Sequence, residues 1–124
     1  MPANTPADVD LLLITAINAG DVDSAVGYYE PGAALVSERG TTVTDTEAIR
    51  EVLSGFMAIK PKLTIEVPLG IESGDTALVH SKWTTVGTDA GGNRVDFAGQ
   101  GTEVVRRQAD GTWILVIDNP FGAP

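Results

Sequence analysis

The chain contains no cysteine and a single histidine, His80. The first absence excludes a disulfide framework, a thiol nucleophile and any Cys-ligated zinc or iron–sulfur centre, and the second excludes a multi-histidine metal site. No metal or other cofactor is expected. Basic residues are also scarce: eight Lys and Arg stand against seventeen Asp and Glu, for a net charge of -9. Because the eight are scattered, the basic footprint that a phosphate backbone requires is missing, and neither nucleic acid nor an anionic membrane surface is an expected partner. No stretch approaches the ~20 consecutive apolar residues of a membrane span. Met1 to Asp10 carries acid and proline where a secretory leader carries basic residues and a longer apolar core, so cytoplasmic residence is the expectation.

What is present is an ordinary globular composition: 124 residues, 43% hydrophobic and 20% charged, enough for one domain over 1–124 with one core. Fourteen glycines and seven prolines show no repeat period and serve as punctuation. The acids are concentrated early, with Asp8, Asp10, Asp21, Asp23 and Glu30 preceding the first basic residue, Arg39. This reads as solubility plus acids near helix N-termini, where the macrodipole favours them.

Val9, Leu12, Leu13, Ala16 and Ile17 recur at i, i+3, i+4, i+7 and i+8, which predicts an amphipathic helix capped by Thr5, entered through Pro6 and ended by Gly20. A second helix is predicted over 21–29 with Asp21 as N-cap, stopped by Pro31-Gly32, and a first strand over 33–37. Thr44-Asp45-Thr46-Glu47 reads as a capping box for a third helix whose stripe is Ala48, Ile49, Val52, Leu53 and Phe56, closed by Pro61. Beyond it the pattern changes to period two. Leu63, Ile65, Val67, Leu69 and Ile71 take the odd positions of a half-buried strand, with Pro68 marking an edge or bulge. Long strands over 76–88 and 94–108 and a last strand over 112–118 complete an antiparallel meander. Three helices followed by a glycine-bearing sheet predict an α+β fold, a strongly bent, cone-shaped antiparallel sheet wrapped around the helices with an apolar pocket inside.

Over nearly its whole length the chain resembles the SnoaL-like family of the nuclear-transport-factor-2-like, or ketosteroid-isomerase-like, superfamily. The resemblance is carried by Ala19-Gly20-Asp21-Val22-Asp23-Ser24-Ala25 leading to Tyr28-Tyr29-Glu30-Pro31-Gly32-Ala33, by 44–53, by Ala77-Leu78-Val79-His80-Ser81-Lys82-Trp83, and by Thr102 to Arg107 continuing through Asp110-Gly111-Thr112-Trp113 to Ile117-Asp118-Asn119-Pro120. It implies a cystatin-like cone and a homodimer paired through the convex sheet face. For function it is broad, since the superfamily includes isomerases, cyclases, dehydratases, epoxide hydrolases and non-catalytic binding modules. Ketosteroid isomerases carry a catalytic aspartate at the end of the first strand, where Ser37 stands here, so steroid isomerisation is not implied.

Strand parity selects the candidate site. Pairing Thr88 with Arg94 sets Trp83 opposite Gly99, Ser81 opposite Gly101 and Val79 opposite Glu103; pairing Ala109 with Thr112 sets Glu103 opposite Asp118 and Val105 opposite Val116. Val79, Ser81, Trp83, Glu103, Val105, Val116 and Asp118 then share a face. Two carboxylates close together in an apolar hollow cannot both ionise cheaply, so one acquires a raised pKa and suits general acid–base work. Asp118 is the first choice for proton carrier, and its place at the end of the last strand resembles that of the acid–base aspartate of SnoaL-type cyclases. Glu103 or Tyr29 is its expected partner, Tyr28 and Tyr29 competing to point a hydroxyl inward. Trp83, Ser81, Val79, Val116 and Phe56 are the expected contacts to a small apolar carbonyl compound. The plainer alternatives are that Glu103 and Asp118 sit solvated at a rim beside Arg107, that Trp83 and the tyrosines only fill core, and that the chain is a non-catalytic dimeric module. His80 has the opposite parity and is expected on the convex face with Leu78, Lys82 and Val86.

Overall fold

A computed structural model describes residues 2–122, so the outer ends of the expected 1–124 domain, Met1, Ala123 and Pro124, lie outside the described residues. Helix α1 spans Pro6–Asn18. Thr5 caps it in a reciprocal box, its Oγ1 accepting from the Asp8 amide while Asp8 Oδ2 accepts from the Thr5 amide. At the other end Gly20 takes φ +70, which lets the Gly20 and Asp21 amides close onto the Ile17 and Ala16 carbonyls at 3.0 Å each. Helix α2 is Val22–Val26 with Asp21 as N-cap. It is shorter than the sequence suggests, because Tyr29 already begins strand β1, Tyr29–Glu38, which runs straight through Pro31-Gly32. Proline lacks only the amide donor, and Gly32 at φ +82 absorbs the irregularity, so the pair kinks an extended segment instead of ending a helix.

A short strand β2, Thr41–Val43, follows in a stretch to which the sequence pattern assigns no element. Helix α3, Thr46–Met57, is capped by Asp45, whose Oδ1 accepts from the Glu47 amide at 2.8 Å. The Thr44–Glu47 capping box does not form: the nearer, shorter carboxylate takes the cap. The remaining strands are β3 Lys62–Ser73, β4 Thr76–Thr88, β5 Arg94–Arg107 and β6 Trp113–Asn119. They form one six-stranded, curled, unclosed sheet in the order β2-β1-β6-β5-β4-β3. This is an α+β fold, antiparallel throughout except that β1 lies parallel to β6.

The β4–β5 register is the expected one along its entire length, from Thr88↔Arg94 to Thr76↔Arg106. Two bulges alter the rest. Near the last turn Gln108, not Ala109, pairs with Thr112, and Val105 lies opposite Leu115 instead of Val116; the ladder then skips Val116, so that Val104↔Ile117 and Glu103↔Asp118 hold. In β3 the register slips between Glu66 and Leu69, across Pro68, which cannot donate to the ladder. The slip flips parity. Leu63 and Ile65 face the helices, but Leu69 and Ile71, expected on the same face, emerge opposite His80 and Leu78 and are 45% and 53% exposed.

The core lies between the sheet's concave face and the helices: Val9, Leu13, Ala16 and Ile17 of α1 and Ile49 and Leu53 of α3 meet Leu35, Val79, Val105 and Leu115. The Asn18 side chain ties α1 to β3, donating to the Leu63 carbonyl at 2.9 Å and accepting from its amide at 2.7 Å. Among the described residues no helix is long and apolar enough to cross a membrane.

Candidate active site

The helices do not fill the concave side completely. A cavity of about 270 Å³ remains, lined by Asp10, Leu13, Ile14 and Ile17 from α1, Val52, Leu53 and Phe56 from α3, and the inward residues of β1 and β3 to β6. Two glycines hold it open. A Cβ at Gly99 would come within 2.7 Å of the Trp83 ring, and one at Gly101 within 2.6 Å of Ser81 Oγ and 2.8 Å of Glu103 Oε2, so both side chains occupy space that only a missing Cβ leaves free. Trp83 is fixed from the other end, its Nε1–H donating to the Pro120 carbonyl at 2.7 Å.

Asp118 and Glu103, neighbours across β5 and β6, both line this cavity, and so do Tyr29, Trp83, Ser81 and Phe56. Val79 and Val116 are not among the lining residues. Val79 is buried in the core, and the bulge carries Val116 out of the inward row, which Leu115 occupies in its place. Of the two tyrosines it is Tyr29 that lines the cavity, its hydroxyl donating to Asp118 Oδ2 at 2.6 Å. Neither acid is paired with Arg107, whose guanidinium binds Asp75 at 2.7 Å. His80 sits opposite Leu69 and Thr102.

A third carboxyl, Asp10, was not foreseen as a site residue. It belongs to the cavity because 10, 13, 14 and 17 follow the i, i+3, i+4, i+7 rule, so Asp10 rides on the same helical face as Leu13, Ile14 and Ile17. An acid in phase with an apolar stripe was the signal in the sequence. Asp10 is only 3% exposed and Glu103 2%, and their carboxyls are close enough to share a hydrogen bond, which requires a proton held between them. Ser81 Oγ and Glu103 Oε2 crowd the same side of Gly101, where the Ser81 hydroxyl favours the Glu103 carboxylate and works against its upward shift. Asp10 Oδ2 and Glu103 Oε2 nevertheless receive no hydrogen bond from any donor among the described residues.

Burial dominates the electrostatics. It pushes Glu103 up to about 11, helped by the adjacent Asp10, and raises Asp10 itself, against which the Glu103 hydrogen bond works. Burial raises Asp118 as well, to about 7; the Tyr29 hydroxyl opposes the shift by stabilising the carboxylate, and the charge of Asp10 adds to it. The Tyr29 phenol is driven well above its ordinary value, first by burial and then by Asp118, and stays a donor. At neutral pH the cavity therefore contains a protonated Glu103 beside Asp10, and an Asp118 poised between acid and base. The three carboxyls are not grouped so as to hold a metal ion.

Residues 12–116 match the family model described as the SnoaL-like domain. No curated protein matches the chain. Among solved structures it is similar to a ketosteroid isomerase-like protein from Erwinia carotovora atroseptica, at 20% identity and a TM-score of 0.80, covering 90% of this chain and 88% of that one. It is similar also to a conserved protein from Planctomyces limnophilus, at 13% identity and TM-score 0.81 over 90% and 88% of the two chains. An NTF-2 like protein of unknown function from Shewanella oneidensis is 17% identical, with TM-score 0.73 over 92% and 97%. At such identities these likenesses speak for the fold alone.

Proposed function

The chain belongs to the SnoaL-like domain family, and from that premise we propose that it binds a compact apolar carbonyl compound in the concave cavity and moves a proton on it by cofactor-independent acid–base catalysis, as isomerases, cyclases and dehydratases do. The observation that carries this reading is the Asp118 carboxyl, 8% exposed, hydrogen-bonded by Tyr29 and held near 7 inside an apolar cavity. A group with that pKa exchanges protons at neutral pH, whereas an ordinary aspartate is too weak a base.

The proposed chemistry uses the two carboxyl stations differently. The Asp118 carboxylate takes a proton from the carbon beside the carbonyl, the C–H electron pair moves into a new C=C bond, and negative charge develops on the carbonyl oxygen. Protonated Glu103 donates a hydrogen bond to that oxygen. Return of the proton from Asp118 to the same or a conjugated carbon completes exchange or isomerisation, with no atom gained or lost. Trp83 packs against the substrate, its ring pinned by Pro120. In size the cavity suits a one- or two-ring molecule, being larger than the ~150 Å³ void that accommodates benzene.

The same proposal includes a homodimer through the convex face, supported by the exposed apolar side chains Leu69, Ile71 and Ile117 gathered there.

The test is deuterium exchange at the CH₂ beside the carbonyl of α-tetralone, followed by NMR at neutral pH. The chain accelerates exchange and Asp118→Asn reduces it by about 10²–10⁴-fold. If the variant exchanges as fast as the parent, the acid–base reading fails and the non-catalytic module stands.

A further inference from the structure

The lining of the cavity is one-sided in charge. Asp10 comes from α1, Glu103 from β5 and Asp118 from β6, while β1 supplies the Tyr29 phenol. Strands β3 and β4 and helix α3 contribute no ionisable side chain to it, and no Lys, Arg or His lines it. Arg39 lies over the ring of Phe121, a lining residue, at 5.9 Å but is not itself part of the lining. An organic anion would enter a low-dielectric space that offers acids and no counter-charge.

The unsatisfied atoms specify more. Asp10 Oδ2 and Glu103 Oε2 are buried oxygens that, apart from the proton the two carboxyls share, find no donor among the described residues. A carbonyl ligand brings only acceptors and can use no more than the single proton this pair shares, whereas a protonated amine brings up to three N–H donors and a positive charge to the same place. The same cavity is lined by the rings of Tyr29, Phe56 and Trp83, and aromatic faces stabilise an ammonium group.

We infer that the ligand class this cavity selects carries a basic nitrogen: a compact apolar ammonium compound, its N–H groups on the Asp10–Glu103 pair and its hydrocarbon body among the aromatic and aliphatic lining. The inference rests on reading the cavity as a small-molecule site, and it stands apart from the acid–base proposal, whose Glu103 hydrogen bond uses the proton that an ammonium displaces. Binding an ammonium favours ionisation of both carboxyls, so the proton held between Asp10 and Glu103 leaves for solvent. Affinity accordingly strengthens as pH rises from the acidic range and weakens once the amine loses its own proton.

Calorimetric titration with a matched bicyclic series tests this. At neutral pH α-aminotetralin binds at least about tenfold more tightly than α-tetralol, and tetralin-α-carboxylate binds more weakly than the alcohol. Amine binding releases protons, read as a heat that changes between buffers of different ionisation enthalpy. In Glu103→Gln, with folding checked by circular dichroism, the preference for amine over alcohol falls to about threefold or less. Equal or tighter binding of the alcohol, carboxylate binding as tight as that of the alcohol, or binding of none of the three overturns the inference. Amine selectivity without α-tetralone exchange leaves it standing and removes the acid–base reading; exchange without amine selectivity does the reverse.

Discussion

At the residue scale the decisive balance is the one at Asp118, where burial raises the carboxyl and the Tyr29 hydroxyl pulls it back. Tyr29→Phe removes only the restoring interaction, so the Asp118 pKa rises above its value of about 7. The expected outcome is a displacement of the Asp118 titration to higher pH by roughly one unit, read from side-chain carboxyl chemical shifts. A displacement downward would mean that the phenol does not stabilise the carboxylate. Gly101 presents a steric counterpart. A methyl there meets Ser81 Oγ and Glu103 Oε2 below 3 Å, with the Asn119 carbonyl at 3.3 Å, so Gly101→Ala costs about 1–3 kcal/mol by overpacking. Urea denaturation measures it, and an unchanged midpoint would mean that the cavity wall yields freely.

Elements set which side chains face one another. The long β4–β5 hairpin follows from the Asp89 to Asn93 turn, where Asp89 Oδ1 accepts from the Gly91 and Asn93 amides at 2.9 Å each and locks the register on which the site depends. Its parity was therefore legible from the turn and the alternation. The two bulges were not predictable in the same way. Pro68 announces an irregularity, but which neighbours flip depends on the partner strand. Val116, an unremarkable residue in a valine-rich run, is skipped because the last turn closes one residue wider than its Asp110-Gly111 pair suggests, and skipping one residue in β6 restores Asp118 opposite Glu103. The parity flip in β3 turns Leu69 and Ile71 outward, beside Leu78 on β4 and near Ile117 on β6. If copies pair through this face, Ile71→Lys combined with Ile117→Lys yields a folded monomer, whereas the parent sediments as a dimer. A parent that sediments as a monomer would refute the pairing.

For the whole molecule, three buried acids are a standing cost of folding. The folded Asp118 pKa of about 7 exceeds its ordinary 3.8, and the folded Glu103 pKa of about 11 exceeds 4.5, so the folded state binds these protons more tightly than the unfolded chain. Stability from them is complete below the unfolded values, declines as pH rises through about 7 and continues to decline toward Glu103's value. Thermal unfolding is expected to show a higher Tm near about pH 5 than near about pH 8, and the unfolding free energies to differ by a few kcal/mol. Glu103→Gln, which removes the buried ionisable group, flattens that slope; a Tm that rises with pH would contradict the assignment.

The sequence by itself determined the order of every element but β2, the α+β class, the SnoaL-like kinship and the β4–β5 register that sets Trp83 opposite Gly99 and Ser81 opposite Gly101, because helical and strand periodicities and turn chemistry are local and survive in a string of letters. Only the tertiary structure decided that Tyr29 rather than Tyr28 reaches Asp118, that Val79 and Val116 leave the cavity, that β1 runs parallel to β6, and that Asp10 joins the site. Each of these depends on how a helix face or strand end is docked against a distant element. The free energy of docking comes from burying the whole apolar surface at once, and no single residue's spacing records it.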